Sequence, residues 1–185
     1  MKNKWQTEDG KWKIEHAFTL VELLVVISII GILASIGLVA FTSSQARGRD
    51  AQRKSDLKQV SSALELFYSD YGKYPSSNNG QIQACDYNSV TGVGQPCAWG
   101  SSEFRDTDGS GNTKTTYFKV LPKDPSNSHT YYYRTVAVNG VSNSGFELYA
   151  FLENSQDISI ISPNPTVACG SDNCNFALTS SNTTP

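Results

Sequence analysis

Few residues in this 185-residue chain could do chemistry, and they fall into three groups. The stretch "RDTDGSGNT" sets Asp106, Asp108, Ser110 and Asn112 at alternate positions, with Gly111 sixth in the loop. Oxygen ligands so spaced around a turn glycine form the first half of a calcium loop, but Lys114 stands ninth and Tyr117 stands where a bidentate Glu belongs. Structural Ca2+ is the one cofactor candidate, weighed against a solvated Gly/Asp turn, and no cofactor is required. Four cysteines, Cys85, Cys97, Cys169 and Cys174, allow three connectivities, of which neighbour pairing closes short loops and is favoured. Zinc is disfavoured, because neither spacing is the two-residue type and His16 and His129 are the only histidines. The third group is one acid, Glu22, near the start of the apolar run "AFTLVELLVVISIIGILASIGLVAF". No Ser or Cys stands in a nucleophile motif, and Asp124 in "LPKDPSN" reads as a turn residue. The chain is therefore not read as an enzyme.

The elements that carry these residues follow from the apolar pattern. Residues 18–41 are 24 positions; at about 1.5 Å each, a helix of that length crosses a ~30 Å hydrocarbon core. The run is too long for the roughly 7–15-residue core of a cleaved secretory signal. A polar leader, residues 1–17, precedes it. Beyond it, Leu57, Val60, Leu64, Phe67, Tyr68 and Tyr71 recur at helical spacings, and Gly72 and Pro75 supply a stop. The pattern predicts one helix of about 50 residues, apolar all round over 18–41 and amphipathic over 42–74. Such a stripe needs a cover, which residues 75–185 must supply. Within them, 76–116 are Ser-, Asn- and Gly-rich and read as a long irregular loop, while 117–161 carry strand signals. There "TYYYRTVAV" and "FELYAFLE" flank Asn139 and Gly140, a hairpin pair. The ending "LTSSNTTP" reads as a mobile tail. The expected fold class is α+β, a long helix packed against a small antiparallel sheet.

A net charge of −2 gives no reason to expect nucleic acid. Lysines before the run and Arg47, Arg49, Arg53, Lys54 and Lys58 after it leave orientation undecided by charge. The four cysteines decide it, since paired thiols fit an oxidising exterior and place the C-terminal part outside the cytoplasm.

The polar leader, the small residue Ala17, Phe18 and then "TLVELLVVISIIGILA" together resemble prepilins, the precursors of type IV pilins and type II secretion pseudopilins. In detail the resemblance covers residues 17–36, and more loosely the helix, "YGKYP", "LPKDPSN" and "FELYAFLE". It implies a pilin fold and a structural filament subunit. A prepilin peptidase would cut between Ala17 and Phe18 and methylate the new amino group of Phe18. Glu22 would pair with that amino group on a neighbouring copy. Further partners so implied are an assembly platform with its ATPase, and inner-membrane lipid before assembly. The precursor would be single-pass in the cytoplasmic membrane with its N-terminus inside, and the product a cell-surface or periplasmic filament. Ala17 departs from the family's usual Gly, and Val39 stands at its usual proline, leaving Gly31 and Gly37 to loosen the helix or admit close packing. Major pseudopilins hold calcium near an acidic C-terminus that this chain lacks. Two alternatives are a minor or DNA-uptake pilin and a single-span membrane protein with an external ligand-binding head.

Overall fold

The computed structural model describes residues 18–162 and 164–183, with the backbone alone described for 36–40. Leader residue Ala17 lies outside them. One helix, α1 (Leu20–Tyr71), runs without interruption and ends where Gly72, at φ 66°, donates its N–H to the Tyr68 carbonyl at 2.7 Å. A positive φ here is the left-handed residue that closes helices and suits glycine. The chain divides into two compact units, Met1–Ser43 and Ser44–Pro185.

In the first unit the described side chains from Phe18 to Ser35 are all exposed. Ser28 and Ser35 return their hydroxyls to the carbonyls of Val25 and Ile32, each at 2.8 Å, so neither requires an outside partner. Among the described residues no helix is long and apolar enough to cross a membrane. The span expected over 18–41 draws five of its residues from 36–40, whose side chains lie outside that description.

In the second unit the rest of α1 packs against two sheets. The first contains β1 (Ser76–Asn78), β2 (Gln81–Asn88), β3 (Val93–Cys97), β4 (Phe104–Thr107) and β5 (Thr113–Phe118). β1 and β4 share one edge of β2, and β3 takes the other; β2 and β4 run parallel, and the remaining pairs antiparallel. The second is an antiparallel meander of β6 (Tyr132–Val138), β7 (Val141–Ala150) and β8 (Phe176–Thr179). Asn139 and Gly140 turn β6 into β7 with φ of 53° and 79°, the double positive φ of a tight hairpin. The sheets abut where Tyr133 donates its N–H to the Gly80 carbonyl at 2.9 Å.

The core forms where Leu57, Val60, Leu64 and Phe67 of α1 meet Ile82, Phe104, Leu121, Tyr133, Phe146 and Leu148. Side chains alternate along β7 and serve two cores. Phe146, Leu148 and Ala150 enter the main one, and Tyr149 enters a smaller one with Val167 and the Cys169–Cys174 pair.

Three expectations need correction. Residues 76–116 are not an irregular loop but supply the five-stranded sheet. Their strands, such as "QIQACDYN", are polar on one face, and their pairing is long-range. The ending is not wholly mobile, since "FALT" forms β8 and Ser180 is buried, donating its N–H to the Phe146 carbonyl at 3.1 Å. Tyr68, counted in the buried stripe, is exposed and lays its ring against Tyr74 at 4.7 Å.

Candidate functional site

The start of α1 is closed by its own side chains. Thr19 is the residue before the first helical turn, and Glu22 is three residues on. The Thr19 hydroxyl accepts the Glu22 N–H at 3.2 Å, while Glu22 Oε2 accepts the Thr19 N–H at 2.9 Å and its hydroxyl at 2.7 Å. This is a reciprocal capping box, which satisfies two of the helix's orphan donors. The acid near the start of the apolar run therefore has a job within one chain, and both of its recorded bonds fall on one oxygen. The signal was legible as T-x-x-E in "TLVE". Phe18 lies just ahead of the box, 82% exposed.

In the second unit, α1 is fastened to the head by charge. Arg53 is fully buried. Its Nε and Nη2 grip both oxygens of Asp124 at 2.9 and 2.8 Å, Nη1 reaches Asp50 at 2.8 Å, and Nη2 also reaches Glu153 at 2.8 Å. Asp50 in turn accepts the backbone N–H groups of Glu153 and Asn154 at 2.9 and 2.8 Å. Arg49 pairs with Glu153, and Lys54 with Asp157 at 2.7 Å. Burial opposes the charge on Arg53, yet its bonds to Asp124, Glu153 and Asp50 hold its pKa above the ordinary value. Sequence reasoning missed this network. It counted Arg53 as a membrane-flanking charge and Asp124 as a turn residue; Asp124 does accept the Ser126 N–H at 2.8 Å in its turn, but nothing local announces a pair 71 positions apart.

Farther along the helix, tyrosine hydroxyls do the fastening. Tyr131 donates to Asp56 at 2.7 Å, Tyr117 to Asp70 at 2.8 Å, and Tyr71 to Asp106.

That last bond bears on the calcium candidate. Asp106 is buried, and it accepts from Tyr71, from Tyr117 at 3.3 Å and from the Thr115 N–H. Asp108 closes on its own turn instead, accepting Ser110 N at 2.8 Å, Asn112 N at 2.9 Å and Asn112 Nδ2 at 3.0 Å. Those bonds, led by the Asn112 side chain, lower its pKa. The candidate ligands Asp106, Asp108, Ser110 and Asn112 thus face different partners. Among the described residues no group of three His, Cys, Asp or Glu could hold a metal ion.

The disulfides join neighbours, Cys85 to Cys97 and Cys169 to Cys174, with Cα separations of 5.2 and 5.1 Å. The first ties β2 to β3. The second closes a loop that lies on residues 128–130, where Thr130 donates its N–H to the Cys169 carbonyl at 3.2 Å.

Comparison with known proteins bears on the helix start. A model described as "Prokaryotic N-terminal methylation motif" matches residues 12–38. The chain is 32% identical over 111 residues to the type II secretion system core protein G of Pseudomonas aeruginosa, covering 60% of this chain and 68% of that protein. This chain belongs to the type IV pilin and pseudopilin family. The type IV major pilin PilA of Myxococcus xanthus is 39% identical over 64 residues, 35% of this chain and 29% of PilA. The fimbrial protein EcpC of Eikenella corrodens is 38% identical over 66 residues, 36% of this chain and 43% of EcpC. The chain thus spans less than half the length of either of these two relatives. No solved structure matches it.

The network predicts how the protein answers to acid. Arg49 and Arg53 hold the Glu153 carboxyl down at about 2, from an ordinary 4.5, with Arg49 the larger cause. Lys54 lowers Asp157 likewise. A depressed carboxylate contributes stability that is complete above its unfolded pKa and is lost as pH falls through the folded one. Asp56 runs the other way, raised by burial despite its bond from Tyr131, and offsets part of the loss. The melting temperature should fall progressively from about pH 4.5 to about pH 2. In Glu153→Gln the fall should be shallower. Equal slopes in thermal melts of the two proteins would refute the assignment to Glu153.

Proposed function

We propose that the chain is a structural subunit of a type IV pilus-like or type II secretion pseudopilus filament, made as a membrane-anchored precursor and assembled through the first part of α1. The observation that carries this reading is the methylation motif over 12–38, of which the part from Leu20 onward lies on a helix whose side chains as far as Ser35 are exposed and apolar save for Glu22 and two self-satisfied serines. An apolar surface of that extent is unfavourable in water and is covered first by lipid and then by the helices of other copies.

In this reading a prepilin peptidase cuts between Ala17 and Phe18 and methylates Phe18, and an assembly platform with its ATPase extracts the subunit. The cut creates an ammonium group next to the capping box. Glu22, already oriented by Thr19 through Oε2, then meets the Phe18 amine of a neighbour. In a low-dielectric filament core, losing either charge leaves the other unpaired at a cost of several kcal/mol. The head, held by its buried network, is a structural and not a catalytic body.

The test combines two measurements. Mass spectrometry of the mature chain should find N-methylated Phe18 as its first residue, and a mature membrane protein retaining Met1 would sink the proposal. Glu22→Ala should still be cut and methylated yet give no sheared filaments by electron microscopy. Filaments at wild-type abundance would remove Glu22 from assembly.

A further inference from the structure

We propose that a small polar cavity in the head binds a carboxylate-bearing ligand the size of one acidic sugar residue. The cavity holds about 150 Å³ and is lined by Lys73, Ser76, Gln83, Tyr87, Gly94 and Asn143 with the rings of Phe67 and Tyr74. At roughly 30 Å³ per water it takes about five waters, and it falls below the roughly 300 Å³ at which drug-sized pockets begin. An oligosaccharide or a nucleotide does not fit within it.

Tyr87 is the observation that points to a ligand. It is only 5% exposed, and its ring is fixed edge-on against Phe67 at 4.9 Å and Tyr71 at 4.8 Å. Every other deeply buried tyrosine of the main core, Tyr74, Tyr117, Tyr131 and Tyr133, donates its hydroxyl to a carboxylate or carbonyl. The Tyr87 hydroxyl takes part in no hydrogen bond among the described residues. No fully buried side-chain oxygen or nitrogen there lacks a partner, so that hydroxyl is not sealed off, and it lies on the side of Tyr87 where Gly92 also lines the cavity. Gly92, another lining residue, stands beside it: a Cβ there would lie 3.6 Å from the hydroxyl, an ordinary contact distance.

The charge at the cavity is single-signed. Lys73 is the one ionisable group of ordinary pH among the lining residues, and its ammonium has no partner among the described residues. Glu65 holds the Tyr74 hydroxyl at 3.0 Å but does not line the space. A carboxylate meets Lys73 in a charge-assisted bond, while the Tyr87 hydroxyl and the Gln83 and Ser76 side chains suit ligand hydroxyls. Tyr74, 5% exposed, offers the small apolar wall against which a sugar ring can lie, with the fully buried Phe67 behind it.

The test uses the full chain, ¹⁵N-labelled in detergent micelles, titrated with glucuronate and separately with glucose. Glucuronate should produce saturable amide shifts at Gly92 and Gly94 with a Kd near 1 mM, and glucose should bind at least about tenfold more weakly. Lys73→Met and Tyr87→Phe should each weaken glucuronate by about tenfold or more while leaving the remaining spectrum in place. No saturable shift up to about 50 mM, or an unchanged Kd in Lys73→Met, overturns the proposal. Equal binding of glucose overturns the carboxylate assignment. If the same amides shift with protein concentration and no sugar, and lose that response in Lys73→Met, the site holds and its carboxylate comes from a second copy.

Discussion

Arg53→Ala should lower the stability of the Ser44–Pro185 unit by about 3–5 kcal/mol, one of the two largest losses expected from a single change. The residue is fully buried, and its guanidinium makes bonds to three carboxylates. Without it, Asp50 and Asp124 are left in the interior with their charges uncompensated. Breaking a buried ion pair by removing one partner costs far more than removing both. A second variant therefore separates charge from packing: Arg53→Met with Asp124→Leu should be more stable than Arg53→Met alone. Urea unfolding of the full chain in detergent, followed by near-UV circular dichroism, measures both. A loss below about 1 kcal/mol in Arg53→Ala would mean that the network is not what holds helix and head together.

Phe67→Ala should cost a similar amount, about 3–5 kcal/mol, by a different cause. Phe67 is fully buried at the centre of an aromatic cluster, with ring centroids 4.6 Å from Tyr71, 4.9 Å from Tyr87, 5.5 Å from Phe104 and 5.3 Å from Tyr117. Those partners sit on α1, β2, β4 and β5, so the truncated ring leaves a cavity where one helix and three strands meet. Aromatic pairs add about 0.5–1.5 kcal/mol each beyond area, although such terms do not sum. Phe67→Leu keeps most of the volume and should lose less than half as much. Equal losses in the two variants, read from urea midpoints at unchanged slope, would show that ring geometry and not volume dominates. The same substitution should degrade the cavity beside Tyr87, whose ring Phe67 positions.

Much of the architecture was written locally. The extent of α1 follows from unbroken helical spacing and a left-handed Gly72, both properties of a few adjacent residues. Asn139 and Gly140 set the β6–β7 hairpin because two consecutive residues accept positive φ. The methylation motif and the Thr19–Glu22 box are also local, the box lying wholly within four adjacent residues. Cysteines 12 and 5 positions apart pair at short range.

Tertiary structure alone decided the rest, wherever a residue's role depends on what arrives from elsewhere in the chain. "RDTDGSGNT" has a calcium loop's spacing, and the bonds that Asp106 accepts from tyrosines of α1 and β5 are ones that no spacing rule contains. Polar strands such as β2 carry too little hydrophobic contrast to stand out, and they become strands because β1, β3 and β4 satisfy their backbone groups on both edges. Arg53 looked like a membrane-flanking charge until Asp124 and Glu153 met it. Burying such a charge is tolerable only when its partners converge from separate segments, and that convergence is a property of the fold.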